Sequence, residues 1–438
     1  MRISKISVTK LFGIFNHPVS LKMEDRITII HGMNGVGKTS LLRLINGFFN
    51  SQYSELLSIP FAEFKIDFDD GSYLQITKVI GKVSKKKKEM KLIFHANTLD
   101  LEPPEFTLNL SLDSNSSVRS SDRKNLLMLI QELERLRKKN SGKSEDVEDI
   151  CDSLLDKSSE KLKQEPKWLS DLKNSIDVRF IESQRLLHLS DISQRRLSWE
   201  NPSMILSVDK YSQEMAKNIQ IKLAEYAAFS QSLDTTFMSR VVNNKVPSNL
   251  TEEALRNKSN EIEEQRSRFI KTGLLDKDEN SNFQFPQNID ETIKNILYFY
   301  LEDVEKKNNF FDEIVNKIEL FQKIITQRFR YKIIRIDKDK GFIFTTPDGK
   351  PLSPTDLSSG EQHELVMLYE LLFKVKPNSL ILIDEPEISL HLAWQVQFLK
   401  DLQAIIKLAD FDVLIATHAP GIIDDRWDLT VELKGPVA

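Results

Sequence analysis

"IIHGMNGVGKTSLLRLI", residues 29–45, sets one apolar run against a glycine-rich turn and then a second apolar run. The eight residues from Gly32 to Thr39 fit the pattern G-x-x-x-x-G-K-S/T without a mismatch. Glycines at that spacing let the backbone curl and turn its N–H groups inward. The apolar run before the turn reads as a buried strand and the run after it as a helix. The turn therefore sits at the positive end of a helix dipole, where an anion is stabilised. A plain glycine-rich turn needs neither flank. The stretch predicts a phosphate cradle built from Asn34, Gly35, Gly37, Lys38, Thr39 and Ser40, with Lys38 reaching β- and γ-phosphates and Thr39 ligating Mg²⁺.

What a cradle does with a nucleotide depends on residues far downstream. In "LILIDEPE", the apolar residues Leu380 to Ile383 carry a carboxylate to the end of a buried strand. Asp384 would hold Mg²⁺ through water, and Glu385 would accept a proton from an attacking water. Alone, such a motif reads as a strand ending in solvated acids; beside a phosphate loop it reads as chemistry. "LSSGEQ", residues 357–362, places a serine-glycine turn at a helix start, where hydroxyls and N–H groups face an anion. An ordinary N-cap at Ser358 or Ser359 explains that local sequence equally well. It leaves unexplained the acidic strand about twenty residues later.

With the three stretches in this order, the chain resembles the ABC-type ATPases of the SMC, RecF and OLD group. "LSSGEQ" stands where that group has its signature motif, with Ser359 in place of the commoner glycine and Glu361 in place of glutamine. The resemblance covers about 1–110 and 330–438. It implies an α/β ABC-type P-loop ATPase head with a mixed sheet and an antiparallel β subdomain, plus an inserted, mainly helical domain. It implies that Ser358, Ser359 and Gly360 address the ATP of a second subunit in a sandwich dimer. His418, closing "VLIATH", matches the switch histidine that senses the γ-phosphate and helps orient the water. Gln184 in "FIESQRLL" is the candidate for the glutamine that reaches Mg²⁺, although Arg185 or a buried polar contact would also account for that motif.

Within the group, "LSSGEQHELVMLYELLF", "DEPEISLHLAWQ" and "ATHAPGIIDDRWDLTVEL" look most like the stand-alone ATPases of bacterial anti-phage systems of the PARIS and Septu types. That likeness implies a homo-oligomeric sensor and scaffold which uses ATP and Mg²⁺. It would hold a separate nuclease, TOPRIM in the one type and HNH in the other, and answer a phage-encoded trigger protein. The OLD nucleases carry a TOPRIM domain after the ATPase, whereas about twenty residues follow His418 here. The middle segment is too short for SMC arms, since even a 60-residue helix spans only about 90 Å.

The rest of the sequence places these motifs. "FKIDFDDGSYLQITKV" predicts a hairpin turning at Asp70-Gly71, and "KKEMKLIFHAN" and "EFTLNLSL" extend an antiparallel layer. Residues 119–139 have a helical pattern, and a polar stretch follows. From about 208 to 330 the chain reads as mostly helical. Phe311, Ile314, Val315, Ile318, Phe321 and Ile325 recur at i, i+3, i+4 spacing. A second hairpin spans "YKIIRIDKDKGFIFTTPDGKPL". The expected division is 1–110, an N-terminal ATPase lobe; 111–200, a helical and loop segment; 201–330, a helical insertion; and 331–438, a C-terminal ATPase lobe.

Composition narrows the classes. Lys and Arg total 61 against 65 for Asp and Glu, which disfavours a RecF-like ATPase whose work is binding duplex DNA. Cys151 is the single cysteine, so no intrachain disulfide forms, as suits a reducing compartment. The N-terminus alternates like a strand and no apolar run is long enough to span a bilayer, so the expected location is the cytoplasm. A transporter subunit fits least, because the signature comes too late after the phosphate loop. The run Lys85–Lys88 reads as a solvated hairpin tip more readily than as a nucleic-acid contact. His391 and Trp394 are expected near a subunit contact, without a catalytic role. A non-hydrolysing, ATP-gated scaffold is the remaining alternative to an ATPase.

Overall fold

The computed structural model describes residues 1–80, 87–97, 103–113, 165–182, 187–188, 205–247, 249–276 and 289–435. The expected helix over 119–139, Cys151 and Gln184 lie outside these residues, as do Lys85 and Lys86. Lys87 opens the strand Lys87–Asn97. The chain divides into two units. The first comprises Met1–Ser183, Lys376–Ile388 and Asp410–Ala438, and the second Gln184–Val375 and Ser389–Ala409.

Unbroken apolar runs of four or five residues suit strands covered on both faces, the situation in a parallel sheet. The first unit contains such a sheet. Its strands, in spatial order, are Thr430–Glu432, Ile27–His31, Asp412–Thr417, Leu380–Asp384 and Val178–Ile181, all parallel. Its members thus come from both ends of the chain and from its middle. Asp384 pairs with Ala416, and Thr417 with His31, so the turns after these strands leave from one edge of the sheet. That carboxyl edge is where open α/β sheets bind ligands.

The helix Lys38–Phe49 covers the sheet with Leu41, Leu42, Leu44, Ile45 and Phe48, all inaccessible to solvent. A separate antiparallel layer orders Phe15–Ser20, Ile3–Leu11, Glu63–Phe68, Tyr73–Ile80, Lys87–Asn97 and Phe106–Asp113. Its alternating residues Phe64, Ile66, Leu74 and Ile76 face the same core. The expected hairpin turn is present: the Asp70 carboxylate accepts hydrogen bonds from the Ser72 N–H at 2.9 Å and hydroxyl at 2.5 Å. Arg2 ties the two sheets together through a two-pronged pair with Asp412, its Nε donating at 2.8 Å.

The second unit is built on helices Ser207–Asn243, Glu252–Lys271, Glu291–Asn309 and Asp312–Arg328. Thr251 and Asp290 cap the second and third with their side chains, accepting from the N–H groups of Ala254 and Ile293. In the fourth, Val315, Ile318, Phe321 and Ile325 are buried as their spacing predicts. Its 37 residues make Ser207–Asn243 the longest helix described, about 55 Å at 1.5 Å per residue.

The boundaries differ from those expected at 330 and beyond. Residues 331–375 and 389–409 belong to the helical unit, not to one lobe with the acidic strand. Aromatic packing is the reason. Tyr369, at the end of the helix Ser359–Tyr369, stacks on Tyr211 and Phe373 and meets Phe342 edge-on. Phe329 stacks on Phe344 and on Trp394.

Candidate functional site

The predicted cradle residues sit in the first unit, in the turn between the strand Ile27–His31 and the helix Lys38–Phe49. Gly37 caps the helix at φ 97°, and a Cβ there would lie 2.5 Å from Leu11 Cδ2. At Gly32 a Cβ would lie 2.7 Å from the carbonyl oxygen of Leu433. Side chains are excluded at both points, and the backbone alone forms the turn. Lys38 is buried and donates from Nζ to the carbonyls of Gly32 at 2.8 Å and Met33 at 3.3 Å. An incoming phosphate would replace these acceptors with stronger, charged ones.

The second predicted element meets the first. Thr39 Oγ1 donates to Asp384 Oδ1 at 3.0 Å across 345 positions of sequence. Burial, reinforced by the neighbouring Glu385 and Glu387 carboxylates, pushes the Asp384 carboxyl up to about 6, against the pull of the Thr39 hydroxyl and Arg43. A buried carboxyl so crowded by like charge is suited to a cation. Among the described residues no group of three His, Cys, Asp or Glu gathers to hold an ion alone. A Mg²⁺ ion would therefore rest on Thr39, Asp384 and the phosphates of its nucleotide, the usual arrangement for this ion.

Glu385 follows with φ 44°, in the left-handed region that non-glycine residues seldom occupy. Its N–H donates to the Ala416 carbonyl at 2.8 Å, which fixes the unusual backbone. His418 Nδ1 lies 3.5 Å from Glu385 Oε1 and 3.1 Å from Glu387 Oε1. The phosphate loop, the acid pair and the histidine are thus gathered at one sheet edge. Gln184, the other candidate for Mg²⁺, is outside the described residues.

Ser358, Ser359 and Gly360 belong to the second unit. Ser358 caps the helix Ser359–Tyr369 in a capping box: its oxygen accepts from the Glu361 N–H, and Glu361 accepts from the Ser358 N–H at 2.8 Å. The two serines are exposed. Lys332 donates to Glu361 Oε2 at 2.5 Å. Burial alone would raise the Glu361 carboxyl, but Lys332 and the Ser358 donors together hold it below the usual range. The acid at this position is thus neutralised locally, and the helix start keeps its positive character. Trp394, expected at a subunit contact, packs on Phe329 of its own unit, and His391 is exposed.

Four site neighbours escaped the sequence reading. They are Glu387 beside His418, Arg43 near Asp384, Lys332 at Glu361, and His17. Buried His17 donates from Nε2 to the Val36 carbonyl at 2.8 Å and so braces the phosphate loop from the antiparallel layer. Glu387 had a visible signal, a second acid two positions after the candidate base. The others had none beyond charge.

A P-loop at the carboxyl edge of a parallel sheet, meeting an acidic strand, defines a nucleotide-binding ATPase class. Residues 1–423 match the family described as AAA ATPase domain, and the chain belongs to that family. No curated protein matches the sequence. Among solved structures, the chain is similar to the SMC head domain with an extended coiled coil, bound to the C-terminal domain of ScpA, from Pyrococcus furiosus. That pair shares 12% identity with a TM-score of 0.37, covering 100% of this chain and 94% of the other. The SMC head domain from Thermotoga maritima gives 12% and 0.33, with 97% and 93% covered. At such identities and scores these likenesses carry no function to this chain. Among the described residues no helix is long and apolar enough to cross a membrane.

Proposed function

We propose that the protein binds and hydrolyses ATP and serves as the sensor and scaffold subunit of a bacterial anti-phage system. The observation that carries the hydrolytic half is the bond from Thr39 to Asp384, with Glu385 and His418 at the same sheet edge. Lys38 exchanges its loop carbonyls for β- and γ-phosphate oxygens. A water attacks the γ-phosphorus, the bond to the bridging oxygen breaks, and Glu385 takes the proton that the water loses. Mg²⁺, when bound, neutralises charge on the phosphates. His418 orients the γ-phosphate and the water.

The second half rests on likeness in the motifs "LSSGEQHELVMLYELLF", "DEPEISLHLAWQ" and "ATHAPGIIDDRWDLTVEL". These resemble AriA, the ATPase of PARIS systems, and, less closely, PtuA of Septu. On that basis the protein assembles through ATP-sandwich dimers and holds a separate TOPRIM nuclease, which a phage protein releases. Two experiments test the halves separately. Purified protein should release phosphate from ATP, and Glu385→Gln should abolish release while ATP still binds. Protein that binds ATP and never releases phosphate would be a nucleotide-gated scaffold instead. Co-expression with a PARIS-type TOPRIM nuclease should yield a co-purifying complex; two proteins that elute apart would remove the sensor assignment.

A further inference from the structure

We propose that Glu387 is a positioning residue for His418: it holds the imidazole with its proton on Nδ1 and leaves the Glu385 carboxylate free to accept one. Glu387 is buried at the start of the turn Pro386–Ser389 that follows the acidic strand. Its Oε1 accepts from the Thr417 hydroxyl at 2.7 Å and from the backbone N–H of His418 at 3.0 Å. A backbone N–H can only donate, so this oxygen is an acceptor in any protonation state of its neighbours. His418 Nδ1 faces the same oxygen at 3.1 Å. Two acceptors would repel at that distance, so Nδ1 carries the hydrogen. Nε2 of the neutral ring is then an acceptor for a hydrogen of the attacking water, and it can donate to a γ-phosphate oxygen only when the ring is doubly protonated.

The Thr417 hydroxyl strengthens the assignment. It accepts from the Ala419 N–H at 3.0 Å, which leaves its own proton to point at Glu387. Two donors thus bond to one buried oxygen, and Nδ1 lies beside it. Glu385 Oε1, at 3.5 Å from the same Nδ1, is the more distant competitor. If the ring donated to Glu385, the candidate base would be occupied before water arrived. As the nearer acceptor, Glu387 draws that proton in its place, dividing two nearby acids into an anchor and a base. The hold on the ring stands on geometry alone; its catalytic consequence rests on the hydrolytic function proposed above.

The test uses the full chain with nitrogen-labelled histidine. A long-range proton–nitrogen spectrum at about pH 8.5, where an ordinary histidine is neutral, reports which ring nitrogen is protonated. His418→Gln identifies the resonance by its loss. The expected result is the Nδ1–H form in the unaltered protein, retained in Glu387→Gln, whose amide oxygen still accepts, and lost in Glu387→Met. An Nε2–H form in the unaltered protein would overturn the proposal, whether or not any variant folds. In turnover, Glu387→Met should lower kcat roughly 10- to 100-fold with KM for MgATP unchanged, and Glu387→Gln should retain most activity. Full kcat in Glu387→Met with the Nδ1–H form gone would remove the catalytic consequence. Protein that hydrolyses no ATP yet shows the Nδ1–H form would overturn the hydrolytic function and leave the hold on the ring intact.

Discussion

Asp384 shows how one residue trades stability for a site. Its folded-state pKa of about 6 lies above the ordinary 3.8, so the folded protein binds that proton more tightly than the unfolded chain does. Without divalent ions, stability should therefore fall as pH rises from 3.8 to about 6 and stay lowered above it. Asp384→Asn keeps the acceptor for Thr39 and removes the buried charge. In urea titrations at neutral pH it should be more stable than the parent by on the order of 2 kcal/mol, less than the full shift because solvent reaches part of the site. The same variant should release no phosphate. A less stable Asn variant would mean that the carboxylate is compensated by something other than the neighbours described. At this scale the sequence was legible wherever a motif fixes spacing, as with Lys38, Thr39 and Asp384. His17, Arg43 and Lys332 were not, because the fold brings each to a partner that no spacing connects to it; Glu387 showed as a second acid after the candidate base, but its partner His418 did not.

Among the elements, local chemistry was readable and membership was not. The Asp70-Gly71 hairpin and the buried face from Val315 to Ile325 follow from alternation and helical period. Nothing periodic shows that the helix Ser359–Tyr369 packs with the helical unit. Nor does it show that Glu364 of that helix, fully buried, pairs with Arg328, which also reaches Asp401. These three charges join the helices Asp312–Arg328, Ser359–Tyr369 and Leu392–Ala409 inside one unit. Arg328→Met alone leaves the buried Glu364 carboxylate without its cation and the half-buried Asp401 without its nearest one, and should cost about 3–5 kcal/mol in urea unfolding. Combining it with Glu364→Gln and Asp401→Asn should recover most of that loss. If the single change were as mild as the triple, the triad would be screened by solvent and would not set the helix packing.

For the whole molecule, the residues proposed for the two halves of the site fall in separate units of one chain. The phosphate loop and acids lie in the first and the exposed serine turn in the second. In the proposed assembly each protomer supplies the turn that its partner's nucleotide lacks. Glu385→Gln, which would bind ATP without consuming it, should then double in mass on adding MgATP and not on adding MgADP. The most direct measurement is complementation between two inactive variants. Lys38→Ala removes the cradle and leaves the serine turn, while Ser359→Arg blocks the turn and leaves the cradle. Each alone should hydrolyse no ATP. Mixed in equal amounts, they form dimers in which one composite site is whole, and about a quarter of the parent activity should return. A mixture as inactive as its parts, although both variants fold and Ser359→Arg still binds ATP, would contradict a pocket shared between two protomers.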